Sequence, residues 1–373
     1  MATTREGSVG CQAYWQSIAQ HRGLSAWLLR PISWLYGALV ALRKQGYAWG
    51  LLRSHRLPVP VIVVGNVVVG GAGKTPTVIA LVQHLSAQGW HPGVISRGYG
   101  RSSDAVVEVT ATTPATDSGD EPALIQRTTG VPVFVARQRV SAGQALLAAH
   151  PHVNVLLCDD GLQHLALVRD IAIAVFDERG CGNDWLLPAG LLRESWPPAS
   201  GSAYRPDMVL RQHREGAQPP DIASVPGIPI FNAVRRLAQY AVGPHGQRIA
   251  LEQLKGQALT AVAGIARPSV FFDMLRARGL TLARELALPD HADSAAYTTL
   301  QQSENGLLIC TEKDAVKCFA SVIEENNPMP PRMWAVPLEL APEPEFFADI
   351  DARLLLQSTH SVGRRRYREN PSR

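Results

Sequence analysis

The sequence predicts an α/β fold, a mostly parallel sheet flanked by helices, and three observations carry that prediction. Apolar runs rich in β-branched residues, suited to buried parallel strands, stand at 61–64, 93–96, 153–158 and 171–176. Between them lie stretches with apolar residues at helical spacing, such as 78–85. A glycine-rich turn, "GNVVVGGAGKTP", joins the first run to its helix.

Composition limits what the chain can be. At 373 residues it has room for two domains, and 46% hydrophobic against 18% charged residues mark a folded, core-forming protein. A formal charge of +4 is too mild to call for nucleic acid. Five cysteines without a CxxC spacing suggest neither a disulfide framework nor a zinc site, and fit a reducing, cytoplasmic setting.

The first element is the apolar stretch 24–42, "LSAWLLRPISWLYGALVAL". Arg30 and Pro31 interrupt it, and the uninterrupted 31–42 is shorter than the roughly 20 residues an ordinary membrane span takes. Trp27, Trp34, Tyr36 and Trp49 beside Arg22, Arg30, Arg43, Lys44 and Arg53 make the mixture of a helix lying among lipid headgroups. A helix capping the domain core fits the same residues. No small-residue cleavage site follows, so a secretory signal is not expected.

The glycine-rich turn is a P-loop. Such a loop curls so that successive N–H groups face a polyphosphate, while a lysine reaches the terminal phosphates and a hydroxyl holds Mg²⁺. Gly73, Lys74 and Thr75 supply the end of that pattern. Val68 replaces its first glycine, so the cradle is the degenerate stretch Val68, Val69, Gly70, Gly71, Ala72, Gly73. Pro76 stands where a first helical residue belongs, and Gly89 is the expected stop.

Further motifs follow the later strands. "SRGYGR" places Arg97 and Tyr99 at a strand end, the side on which parallel sheets bind ligands. In "GDEP", Asp120 and Glu121 open a helical stretch, where acids also serve as caps. "VNVLLCDDGLQH" ends a buried strand in Asp159 and Asp160, the second acidic strand end with which a P-loop enzyme anchors Mg²⁺. His164 is near enough to orient an acid or touch a substrate. "LLPAGLLRES" presents Arg193 and Glu194; the arginine suits either a transferring phosphoryl group or a surface ion pair.

Past the Pro/Gly-rich stretch 219–229, runs at 258–265 and 306–310 around a helical 270–278 predict a second α/β unit. "ICTEKDAVK" ends its second strand in polar residues suited to ligands. Lys313 and Asp314 are adjacent there, which departs from the guanine-selecting spacing of GTPases and favours ATP. The organisation read from the sequence is an N-terminal membrane-associated segment over 1–45, a P-loop core over 46–235, a smaller C-terminal α/β domain over 236–360 and a basic tail over 361–373.

Taken in order, "GNVVVGGAGKTP", "SRGYGR", "GDEP", "DDGLQH", "LLPAGLLRE", "AGIARPSVFF", "PDH" and "TEKDAVK" closely resemble the tetraacyldisaccharide 4′-kinase family, the lipid A 4′-kinases. The resemblance implies ATP-dependent phosphorylation of the 4′-hydroxyl of a tetraacylated disaccharide 1-phosphate, giving lipid IVA, at the cytoplasmic face of the inner membrane. It also implies a P-loop domain with a smaller α/β domain that closes over the site. Within that resemblance, Asp120 paired with His291 is the general base, and Glu121 supports the metal or the base. Lys74 contacts the β- and γ-phosphates, and Thr75 with Asp159 or Asp160 holds Mg²⁺. Arg193 takes a catalytic role, while Tyr99, Arg139, His164 and Glu194 line the acceptor.

Overall fold

The computed structural model describes residues 18–290, 292, 294–303, 306–324 and 332–368. The chain forms two compact units, and neither is one continuous stretch. The first takes the chain up to Arg97, Val131–Val234 and the part from Ala341 on; the second takes Gly98–Gly130 and Arg235–Leu340.

In the first unit, six parallel strands lie in the order Met208–Arg214, Ile171–Phe176, Val61–Gly65, Val155–Asp159, Pro92–Ser96 and Val133–Val135. The strands Val61–Gly65, Val155–Asp159 and Ile171–Phe176 are buried along their whole length, which is why they read as unbroken apolar runs rather than alternating ones. Their register places Val64 beside Asp159 and Gly65 beside Ala174, so the strand feeding the P-loop ends next to the acid-ended strand. That shared end is where a parallel sheet builds its ligand site.

The helix after the P-loop runs Lys74–Ala87, two residues earlier than the sequence suggests. Pro76 therefore sits inside the first turn, where its missing N–H costs nothing because no intrahelical acceptor is available there.

The helix Leu24–Ala48 corrects the sequence reading of this stretch: it is continuous through Pro31 for 25 residues. Within it, the Arg30 guanidinium lies 4.1 Å from the ring centroid of Trp185 and within 6 Å of Trp27 and Trp34. By length and composition alone the helix could cross a membrane. One face is bound to its own unit: the Ser33 hydroxyl donates to the Leu186 carbonyl (2.9 Å), Tyr36 to the Arg193 carbonyl (3.0 Å) and Arg43 to the Gln163 carbonyl (3.0 Å). The other face exposes Leu24, Leu28, Ile32, Leu35, Leu39 and Leu42, spaced three or four residues apart.

The second unit has its own sheet, in the order Arg248–Ala250, Tyr240–Val242, Met333–Val336, Leu307–Thr311, Leu259–Ala263 and Leu282–Ala287. Its last four strands are parallel. Side chains alternate between two cores: Leu259, Ala261, Ala263 and Ile309 pack with Phe271 and Phe272, whereas Val262, Leu308 and Cys310 pack with Tyr297 and Phe319. Helix Asp120–Thr129 packs in this unit against helix Glu312–Glu324.

Candidate active site

The P-loop is fixed from behind. Residues 67–69 pair with 191–193: the Arg193 N–H donates to the Val67 carbonyl (2.7 Å) and the Val69 N–H to the Leu191 carbonyl (2.9 Å). This pairing brings "LLPAGLLRE" to the loop. Within the predicted cradle, Val68 and Ala72 have no exposed surface and the N–H of Val69 donates to Leu191. Gly70, Gly71 and Gly73 complete the loop, and Lys74 and Thr75 begin its helix.

Arg179 clamps the loop's carbonyls. Its Nη1 donates to the Val69 carbonyl (3.0 Å) and its Nη2 to the Gly71 carbonyl (3.3 Å), while Nε donates to the fully buried Asp177. Gly70, at φ 90°, lies so close that a Cβ would stand 3.0 Å from Arg179 Nη1. Gln212 braces the other side, donating to the Gly73 carbonyl (2.9 Å) and the Thr77 hydroxyl (2.7 Å). At Gly73, φ 78°, a Cβ would fall 1.9 Å from Gln212 Oε1. Only glycine closes that turn.

Asp160 gathers the cations. Its backbone is left-handed, φ 49°, an unusual conformation that costs about 1 kcal/mol or more and clusters at functional sites. Arg139 donates to its carbonyl (3.0 Å), Arg193 Nη1 lies 3.1 Å from Oδ1, and Lys74 Nζ lies 3.6 Å from the same oxygen. Burial alone would raise the pKa of Asp160, but Lys74 and Arg193 outweigh it and hold the carboxyl below the ordinary aspartate value. Arg193 is thus in an ion pair, and its partner Asp160 also faces Lys74.

The donor set fits Mg²⁺. Thr75, Asp159 and Asp160 offer hard oxygens at one strand end, Asp159 with no exposed surface. Two carboxylates and a hydroxyl suit an ion that binds through one or two carboxylates plus substrate phosphates.

The remaining first-unit residues form a connected rim. Gln163 Nε2 donates to the Asn66 carbonyl (3.0 Å) and to Glu194 Oε1 (2.7 Å), and Lys44 pairs with the other oxygen of Glu194. Glu194 is thus buried and held within the protein. His164 has a buried Nε2 without a hydrogen-bond partner. Burial foremost, then Arg139, Arg43 and Arg97, pushes its pKa down to about 4, so it is neutral at pH 7.

Tyr99, Asp120 and Glu121 belong to the second unit. Tyr99 is exposed, whereas Asp120 is buried. Asp120 does not stand at the N-cap, a position held by Gly119; its carboxylate is paired with Lys317 Nζ at 2.8 Å. His291 lies outside the described residues, but its neighbours are placed. Asp290 pairs with Lys313 (3.0 Å), and the Ala292 carbonyl accepts from Lys317 (2.9 Å). Asp314, at the end of the strand thought suited to ligands, is instead structural. It accepts from the Gly264 N–H, Tyr297 and Thr311 and forms a capping box with Thr311.

Comparison with known proteins decides the family. A profile described as tetraacyldisaccharide-1-P 4′-kinase matches residues 25–355. The chain belongs to the tetraacyldisaccharide-1-P 4′-kinase family. It is 54% identical over 335 residues to the tetraacyldisaccharide 4′-kinase of Acidovorax sp. (strain JS42), covering 90% of this chain and 92% of that protein. It is 52% identical to the same-named protein of Polaromonas naphthalenivorans, covering 89% and 92%. A crystal structure of LpxK from Aquifex aeolicus in complex with ATP is similar at TM-score 0.74 and 27% identity, over 89% of this chain and 99% of that one. The P-loop α/β architecture and the kinase assignment stand on these matches.

Sequence reasoning passed over Asn66, Arg179, Gln212 and Lys317. Asn66 was within reach, lying in the motif itself; it donates to the Gly70 carbonyl and lies 3.5 Å from Lys74 Nζ. The other three reach their partners from distant elements, and nothing in their local spacing marks them.

Proposed function

We propose that this chain transfers the γ-phosphate of ATP to the 4′-hydroxyl of tetraacyldisaccharide 1-phosphate, forming lipid IVA, with its two units dividing the labour. The observation that carries this reading is the convergence of Lys74 and Arg193 on Asp160 at the end of the strand beside the P-loop strand, in a chain of this kinase family. Lys74 and the amides of 70–75 bind the β- and γ-phosphates, and their positive field stabilises charge as the phosphoryl group moves. Mg²⁺, held by Thr75 and Asp159 or Asp160, would neutralise charge on the phosphate oxygens. Arg193 leaves Asp160 for the γ-phosphate when nucleotide arrives. Asp120 with His291 takes the proton of the acceptor hydroxyl, and Glu121 supports that pair. Tyr99 contacts the acceptor from the second unit; in the first unit Arg139 and His164 contact it, and Glu194 holds Gln163 and Lys44.

The protein works at the cytoplasmic face of the inner membrane. Hydrogen bonds from Ser33, Tyr36 and Arg43 to the first unit favour a helix lying in the interface, its leucine face in lipid and its bound face on the enzyme, over one that spans. The test is incubation with γ-labelled ATP and the lipid disaccharide on vesicles. Label appears in the lipid only when a free 4′-hydroxyl is present; release as inorganic phosphate independent of acceptor would refute the reading.

A further inference from the structure

We propose that Lys317 is a positioning residue for activation of the acceptor hydroxyl, its ammonium, itself anchored on the Ala292 carbonyl, fixing the Asp120 carboxylate. The proposal rests on the reading of Asp120 as the base.

The geometry is a bridge. Lys317 Nζ lies 2.8 Å from Asp120 Oδ2 and 2.9 Å from the Ala292 carbonyl, so one donor ties helix Asp120–Thr129 to the turn that the Ala292 N–H closes on the Pro289 carbonyl (3.0 Å). One helical turn earlier, Lys313 holds Asp290 at 3.0 Å. Two lysines at i and i+4 on one helix thus grip the residues on either side of position 291.

The helix presenting them is itself held firmly. Its first turn is locked by the Thr311–Asp314 capping box, and Asp314 is anchored by the Gly264 N–H and Tyr297. Stability does not explain the Lys317–Asp120 pair. Both side chains are at most 10% exposed, and at such sites well-packed apolar residues do as well as an ion pair or better. What apolar residues cannot do is hold a carboxylate ionised and aimed. Glu121 shares the first turn with Asp120 and adds negative charge near Lys313. Lys317 is therefore the cation committed to Asp120, and Lys313 chiefly to Asp290.

Steady-state kinetics of the full-length protein with ATP and the lipid acceptor tests this, using Lys317→Met, Lys317→Arg, Asp120→Asn and the double variant Asp120→Asn/Lys317→Met. Misplacing a reacting group by an ångström costs about 100-fold, and Lys317→Met should lower kcat on that order while leaving KM for ATP unchanged. Lys317→Arg, which keeps the cation, should recover part of the loss. The double variant should be no slower than Asp120→Asn, because Lys317 acts only through that carboxylate. It also leaves no unpaired buried charge, so it remains informative if Lys317→Met does not fold. Wild-type kcat in a folded Lys317→Met, or a further large loss in the double variant, would overturn the proposal. Wild-type kcat in Asp120→Asn would overturn the base assignment beneath it.

Discussion

The charged clusters of the two units are built on opposite plans. Around Asp160, three cations from separate elements converge on one residue, and Lys74 and Arg193 share a single carboxylate oxygen. Around Asp120 and Asp290, each of these acids is paired with a lysine, Lys317 with Asp120 and Lys313 with Asp290, and Glu121 adds a further negative charge near Lys313. Surplus positive charge is what a site needs if an anion must displace internal partners. Matched, buried charge is what a site needs if a carboxylate must stay ionised and in place. The contrast fits the proposed roles, polyphosphate at the first cluster and proton transfer at the second.

The largest expected effect comes from breaking the surplus. Lys74→Ala should lower phosphotransfer by about 1,000-fold, at the upper end for one electrostatic contact to a transition state. The melting temperature should hold within a few degrees, because Asp160 keeps Arg193. A folded Lys74→Ala with normal turnover would break the assignment of this cluster to phosphate.

A smaller effect sharpens how the first cluster is shaped. Arg179→Met removes two donors to the carbonyls of Val69 and Gly71, and the Nε donor to Asp177, while leaving the loop's own N–H groups in place. Losing about 1.4 kcal/mol of charge-assisted hydrogen bonding should raise KM for ATP about tenfold and change kcat little. A fall in kcat at constant KM would place Arg179 in the chemistry instead.

A third effect is on stability rather than turnover and belongs to His164. Its folded-state pKa is about 4 against an ordinary 6.5, so the unfolded chain takes up the proton first. The protein should lose stability as pH falls from about 6.5 through about 4, and His164→Gln should flatten that decline. Melting curves at intervals across the range check it; equal slopes in both proteins would show that His164 is not desolvated as described.

Much of this was legible in the residues. Strands 61–65, 155–159 and 171–176 announce themselves because full burial leaves no polar interruption. The P-loop and the aspartate pair are legible because their function sits at adjoining strand ends. Arg179, Gln212 and Lys317 are not, since each acts on backbone or side chains from a distant part of the chain. The ring that shelters Arg30 is likewise distant in the chain, at position 185. Linear reading also cannot see that 98–130 and 235–340 form one unit.

The division of labour is tested most directly by measuring ATP binding at equilibrium and label transfer to the lipid in Asp120→Asn and Lys74→Ala side by side. Asp120→Asn should bind ATP as the wild type does and transfer almost nothing; Lys74→Ala should lose both. Loss of ATP binding in Asp120→Asn comparable to that in Lys74→Ala, or near-normal transfer by Asp120→Asn, would contradict the assignment of nucleotide to one unit and acceptor activation to the other.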